Sequence, residues 1–177
     1  MRVWVVVCVF AGCGFGSAKV TGTVAGIGLS GKDAIASSID SAYVVVVYDR
    51  SGACSEAQNY KDFPSDTELS FIVEVPNGQS VSKGSYPIVV GSASPLTSGV
   101  ASVQFIKRDA QCKGTLSDAA SSATSGTVSV TNIVAGESVS GTFDVHFDSG
   151  DHLTGSFDAP FCSIPQPKVQ DAPGTCG

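Results

Sequence analysis

The chain has 177 residues, with 10 Lys and Arg against 16 Asp and Glu, and a net charge of −6. The cations are scattered and form no basic stripe, which excludes an electrostatic nucleic-acid surface. Only 15% of residues are charged, and Gly, Ser, Thr and Val are plentiful, a balance that favours strands and turns over helices.

Met1-Arg2 is a short positive n-region, and residues 3–10 are apolar but too few to span a bilayer. Phe10-Ala11-Gly12-Cys13 then places small residues just before a cysteine. Residues 1–12 read as a secretory signal, and their end resembles a bacterial lipobox, with Phe10 where Leu is usual. That resemblance implies cleavage before Cys13, a diacylglyceryl thioether on Cys13 and N-acylation of the new terminus. The alternative is an ordinary secretory signal cut elsewhere. Each buried methylene adds roughly 0.8 kcal/mol of membrane affinity, so the membrane is the expected partner. Gly14, not Asp, follows the cysteine; by the enteric sorting rule this implies the outer membrane. Residues 13–18 become a lipid-anchored tether.

Alternation predicts a strand over 19–27. Residues 42–49 (AYVVVVYD) read as a buried strand, far too short to cross a membrane. A polar loop with one helical turn over 55–60 follows. Residues 68–75 form a strand ended by Pro76-Asn77-Gly78, a strong turn signal. Further strands are expected over 86–91, 100–107, 126–134, 139–147 and 153–161, with a Ser/Ala-rich loop over 109–125. The tail 163–177 has three prolines and no periodicity. Short strands separated by turn signals predict an all-β fold. We expect one antiparallel β-sandwich of about eight strands over 19–162, with a closed up-and-down barrel as the alternative.

The last two strands share a repeated phrase, Gly141-Thr142-Phe143-Asp144 and Gly155-Ser156-Phe157-Asp158. Val139, Gly141, Phe143, Val145 and Phe147 share one face, and Leu153, Gly155, Phe157, Ala159 and Phe161 share the matching face. A loop centred on Gly150 sets Phe147 against Leu153 and Phe143 against Phe157. Thr142 then faces Asp158, and Asp144 faces Ser156. In that register Asp144 and Asp158 are diagonal neighbours roughly 5–7 Å apart, a spacing that overlaps that of retaining glycosidases. Packing and cross-strand pairing explain the repeat without catalysis.

Cys8 falls in the signal and Cys13 takes the lipid, which leaves Cys54, Cys112, Cys162 and Cys176. An even number in an exported chain reads as two disulfides; no CxxC or CxxxC pair suggests a metal. If successive strands alternate in direction, Cys54 and Cys162 share one end and Cys112 lies at the other. The tail could stretch roughly 45 Å and carry Cys176 to Cys112. The expected bridges are Cys54–Cys162 and Cys112–Cys176, the other connectivities staying open.

Two other patterns carry chemistry. Gly26, Gly28 and Gly31 fit G-x-G-x-x-G, with Asp49 near the distance of a ribose-binding acid. Against this, Lys19, Thr21 and Thr23 alternate outward where a central parallel strand is apolar on both faces, and no further βαβ unit follows. His146 and His152 cluster with Asp144, Asp148, Asp151 and Asp158 around one hairpin. Imidazoles suit a transition metal and carboxylates a hard ion. Asp148 and Asp151 are ordinary turn residues, so the cluster reads as a solvated face, with no metal and no cofactor expected. Asp144, His146 and Asp158 are its candidate polar cluster. No G-x-S-x-G elbow is present.

The lipobox, KVTGTVAG with KDAIA downstream, SGTVSVTNI, GTFDVHF with GSFDAPFC, and the Pro-rich tail ending in Cys-Gly resemble a group of short predicted lipoproteins frequent in myxobacterial genomes. The resemblance covers nearly the whole chain. It implies an envelope location and a β-rich ectodomain, and it carries over no catalytic residues.

The leading expectation is therefore a lipid-anchored envelope lipoprotein. Its β domain is non-enzymatic, structural or binding another envelope protein. A lipocalin-like carrier would need a cavity lined by Phe143, Phe157 and Val128. An exported hydrolase would need Asp144 and Asp158 sunk in a cleft.

Overall fold

The computed structural model describes residues 16–59, 61–91, 95–164 and 175–176. The signal, Cys13 and most of the tail lie outside the described residues.

Two antiparallel sheets pack face to face. The first is built from β1 (Ser17–Thr23), β6 (Gly84–Pro87), β8 (Ala123–Val134), β9 (Ser138–Phe147) and β10 (His152–Pro160), in the order β1-β10-β9-β8-β6. The second holds β2 (Asp33–Ile39), β3 (Ala42–Tyr48), β5 (Thr67–Glu74) and β7 (Val100–Lys107), in the order β2-β3-β5-β7. A small parallel pair joins β4 (Lys61–Asp62) to β11 (Thr175–Cys176). Two short helices, α1 (Ala53–Gln58) and α2 (Asp118–Ser121), sit in the long connections. The expected sandwich is the architecture found, and the sheets do not close into a barrel.

Alternation builds the core. Leu69, Phe71 and Val73 point inward from β5, while Ser70 and Ile72 between them are only partly buried. Val139, Phe143, Val145 and Phe147 point inward from β9 and meet Leu153, Phe157 and Ala159 from β10. The Phe71 ring lies 4.9 Å from that of Phe143 and 5.4 Å from that of Phe157. Phe143, Phe157 and Val128 are buried in the core between the sheets, and none of them lines the surface grooves of the described residues. Burying one such ring contributes on the order of 1.5–3 kcal/mol.

The closing hairpin keeps the expected faces but not the expected register. His152 pairs with His146, Gly155 with Phe143 and Phe157 with Gly141. Each repeated phrase thus sets its Phe opposite the other phrase's Gly. A Cβ on Gly155 would come within 2.6 Å of Phe143 Cζ, and one on Gly141 within 2.5 Å of Phe157 Cζ. Opposing the two rings directly would leave both glycine hollows empty, and close packing selects the other alignment. The turn agrees. Phe147 N–H donates to Asp151 O at 3.0 Å and Gly150 N–H to Phe147 O at 3.0 Å, with Gly150 at φ 83°. This is a three-residue loop with glycine at its left-handed position.

Three other expectations are corrected. The sequence pattern predicts no element over 33–39, yet these residues form an edge strand with Ala34 and Ala36 facing the core. The strand expected over 19–27 ends at Thr23, because the glycine motif begins in a two-residue turn, with Val24 paired to Ile27 and positive φ at Ala25 and Gly26. β2 is antiparallel to β3, so the motif opens no βαβ unit. The strand expected over 86–91 is β6, and its continuation crosses between sheets: Ile88 N–H donates to Gly126 O and Val89 N–H to Ala101 O.

Both expected disulfides are present, Cys54–Cys162 and Cys112–Cys176. The strict alternation used to reach them does not hold, because the chain bridges β7 in parallel at Ile88. Lys107 pairs with Thr67 and Tyr48 with Glu68, so Cys112 leaves the sheet at the same end as the loop of Cys54. Cys176 reaches it through β11, which pairs with β4. Cys54–Cys162 instead ties α1 to the outer face of the second sheet, beside Ile35 and Ala53.

Candidate functional site

The polar face of the closing hairpin carries the donors. Asp144 and His146 alternate outward on β9, and His152 opens β10 directly opposite His146. The imidazoles stack with centroids 4.2 Å apart and planes 4° from parallel. Asp144 Oδ1 lies 2.8 Å from His152 Nε2 and 3.6 Å from His146 Nε2. The three side chains are exposed, and one ligand atom from each falls within a 4.8 Å spread.

Asp158 is not part of this group. Asp144 pairs with Thr154, and Asp158 pairs with Ser140, whose hydroxyl donates to Asp158 Oδ1 at 2.9 Å. Four residues of strand separate the carboxylates along the sheet, about 13 Å. The diagonal closeness expected from the sequence is lost with the two-residue change of register. His152, which replaces Asp158 in the cluster, was visible in the sequence as a member of the hairpin.

Asp151 is committed to the turn. It accepts from the Ser149 hydroxyl and from Ala25 N–H at 2.8 Å. These bonds hold its carboxyl below the usual range, Ser149 contributing most.

A second charged group lies at the end of the second sheet, its acids Asp66 and Glu68 buried and its Arg108 and Asp62 partly exposed. Arg108 bridges Glu68 at 2.9 Å, Asp66 at 3.4 Å and Asp62 at 3.7 Å. Asp66 is fully buried and Glu68 nearly so. Burial pushes both carboxyls above the usual range, and Arg108 pulls them back only in part. The acids hold the Arg108 guanidinium above its ordinary value against its own desolvation. Sequence reading missed this group, since Asp66 looked like the last residue of a polar loop. The available signal was three acids within seven positions beside a strand start.

Asp33 was missed as well. Its carboxylate accepts from Ala34 N–H at 2.9 Å, Gly52 N–H at 2.9 Å and Ala53 N–H at 3.0 Å. It supplies from across the sheet the cap that the start of α1 lacks, and so fixes the helix that carries Cys54. Open surface grooves of about 470 Å³ beside Tyr43 and Phe161, and about 550 Å³ beside Ile39 and Leu96, take in none of Asp144, His146, His152 or Asp158.

No protein-family model matches this chain, and no curated protein or solved structure does either.

Proposed function

We propose that this chain is a lipid-anchored lipoprotein of the bacterial envelope. Its β-sandwich is a rigid, non-enzymatic domain that acts structurally or docks another envelope component. The observation that carries the reading is the pair of disulfides, Cys54–Cys162 and Cys112–Cys176. Such bridges persist in oxidising compartments outside the cytosol, where the lipobox at Cys13 would deliver the chain. No helix among the described residues is long and apolar enough to cross a membrane, and the acyl chains on Cys13 supply the attachment. Neither alternative gains support. A carrier needs interior space that Phe71, Phe143 and Phe157 occupy. A two-carboxylate hydrolase needs Asp144 and Asp158 closer than this register brings them.

The test is fractionation of a bacterial host expressing the chain. The unaltered protein is expected in the membrane fraction, extracted only by detergent. Cys13→Ser is expected to release it or leave its signal uncut. Equal membrane retention of both forms with the signal removed from each would overturn the anchor at Cys13.

A further inference from the structure

The outer face of β9 and β10 carries a set of metal-ligating side chains. The chain contains 2 histidines, and both stand opposite each other on this hairpin. Asp144 Oδ1 faces Nε2 of each ring. We propose that Asp144, His146 and His152 form a binding site for a late first-row divalent cation, Zn²⁺ foremost.

The donor set selects that class of ion. Two imidazoles and one carboxylate suit Zn²⁺, Co²⁺, Ni²⁺ or Cu²⁺, whereas Ca²⁺ and Mg²⁺ take oxygen ligands. Metal–ligand bonds near 2.0–2.2 Å put neighbouring ligands roughly 3.0–3.5 Å apart. The contacts of 2.8 and 3.6 Å from Asp144 Oδ1 bracket that edge. The two imidazoles, stacked in parallel at 4.2 Å, must turn out of the stack so that their Nε2 lone pairs converge on one ion, and both rings are exposed and have room to do so.

The frame beneath the donors is fixed. β9 is hydrogen-bonded to β8 and β10, and β10 to β9 and β1, so both strands lie inside the five-stranded sheet. Inward, Phe143, Val145, Phe147 and Leu153 are buried and lock the hairpin in place. The turn is tied through Phe147, Gly150 and Asp151. Asp151 is spent on Ser149 and Ala25 and Asp158 on Ser140, so the site has three protein ligands. Its remaining positions face solvent, open to water or to a donor on a docked partner. That geometry goes beyond the anchoring and docking reading and does not depend on it.

The test is calorimetric titration of Zn²⁺ into the full chain. The protein is purified without a histidine tag, kept oxidised, and any free thiols are alkylated beforehand. We expect one saturable equivalent, with Ca²⁺ and Mg²⁺ giving none. Removing a direct ligand should cost at least the tenfold typical of losing a supporting group, so H146Q and H152Q should each weaken binding by more than about tenfold, and D144N should weaken it too. D158N should bind like the unaltered chain. Imidazole ¹⁵N spectra of the unaltered chain give a readout that needs no variant, with Nε2 of both rings expected to shift on adding Zn²⁺. Absence of saturable binding would overturn the site, as would binding unchanged in H146Q and H152Q with ring signals that stay in place.

Discussion

The two charged clusters differ in solvent, and that difference decides what each can do. Asp144, His146 and His152 stand in water on the outside of one sheet. Asp62, Asp66, Glu68 and Arg108 are drawn together at the end of the other, with Asp66 fully buried. In water a charged group interacts weakly with its neighbours and stays available to a ligand. Out of water it depends on its partners, and losing one leaves the rest stranded. The exposed cluster is therefore the place for binding, and the buried one holds the fold together.

The largest effect should come from stranding the buried acids. Arg108→Met is expected to lower unfolding free energy by about 3–5 kcal/mol, measured by urea denaturation. A loss below about 1 kcal/mol would mean that the cluster is solvated like its exposed counterpart. Next, removing the bridge beside it with Cys112→Ala and Cys176→Ala should cost about 2–4 kcal/mol, read from the same curves. On the hidden side of the donor hairpin, Gly155→Ala should cost about 1–3 kcal/mol through overpacking, because its Cβ would meet Lys19 O at 2.0 Å and Phe143 Cζ at 2.6 Å.

The clusters also separate by pH. Asp66 and Glu68 have raised folded-state pKa values. Their stabilising contribution is fully present below the ordinary carboxylate range and is lost as pH rises through the folded values. D66N combined with E68Q should flatten that fall relative to the unaltered chain, seen as a smaller slope of unfolding free energy above about pH 4. An unchanged slope would locate the titration elsewhere. The smallest effect belongs to the exposed side, where D144N and D158N should each change stability by no more than about 0.5 kcal/mol.

Legibility in the sequence followed the range of the interaction. Strands such as 100–107 and 139–147 announce themselves by alternation, a property of adjacent residues. The faces of the closing hairpin were legible for the same reason. Its register was not, because choosing it required knowing that Phe143 rests over Gly155 and Phe157 over Gly141. That single misalignment put Asp158 in the cluster in place of His152. β2 was obscured by its small Ala and Ser residues at a sheet edge, and by the glycine turn before it. The Arg108 cluster joins β7 to residues about 40 positions earlier, a separation that no local pattern reports. The disulfides were paired as found, although the strand directions used to pair them fail at Ile88.

The most direct test of an anchored, doubly cross-linked domain is intact mass with and without reductant and alkylation. We predict a lipid-sized increment at Cys13 and no alkylation of Cys54, Cys112, Cys162 or Cys176 until reduction. An unmodified Cys13, or two or more of those four thiols free in the native protein, would contradict the account.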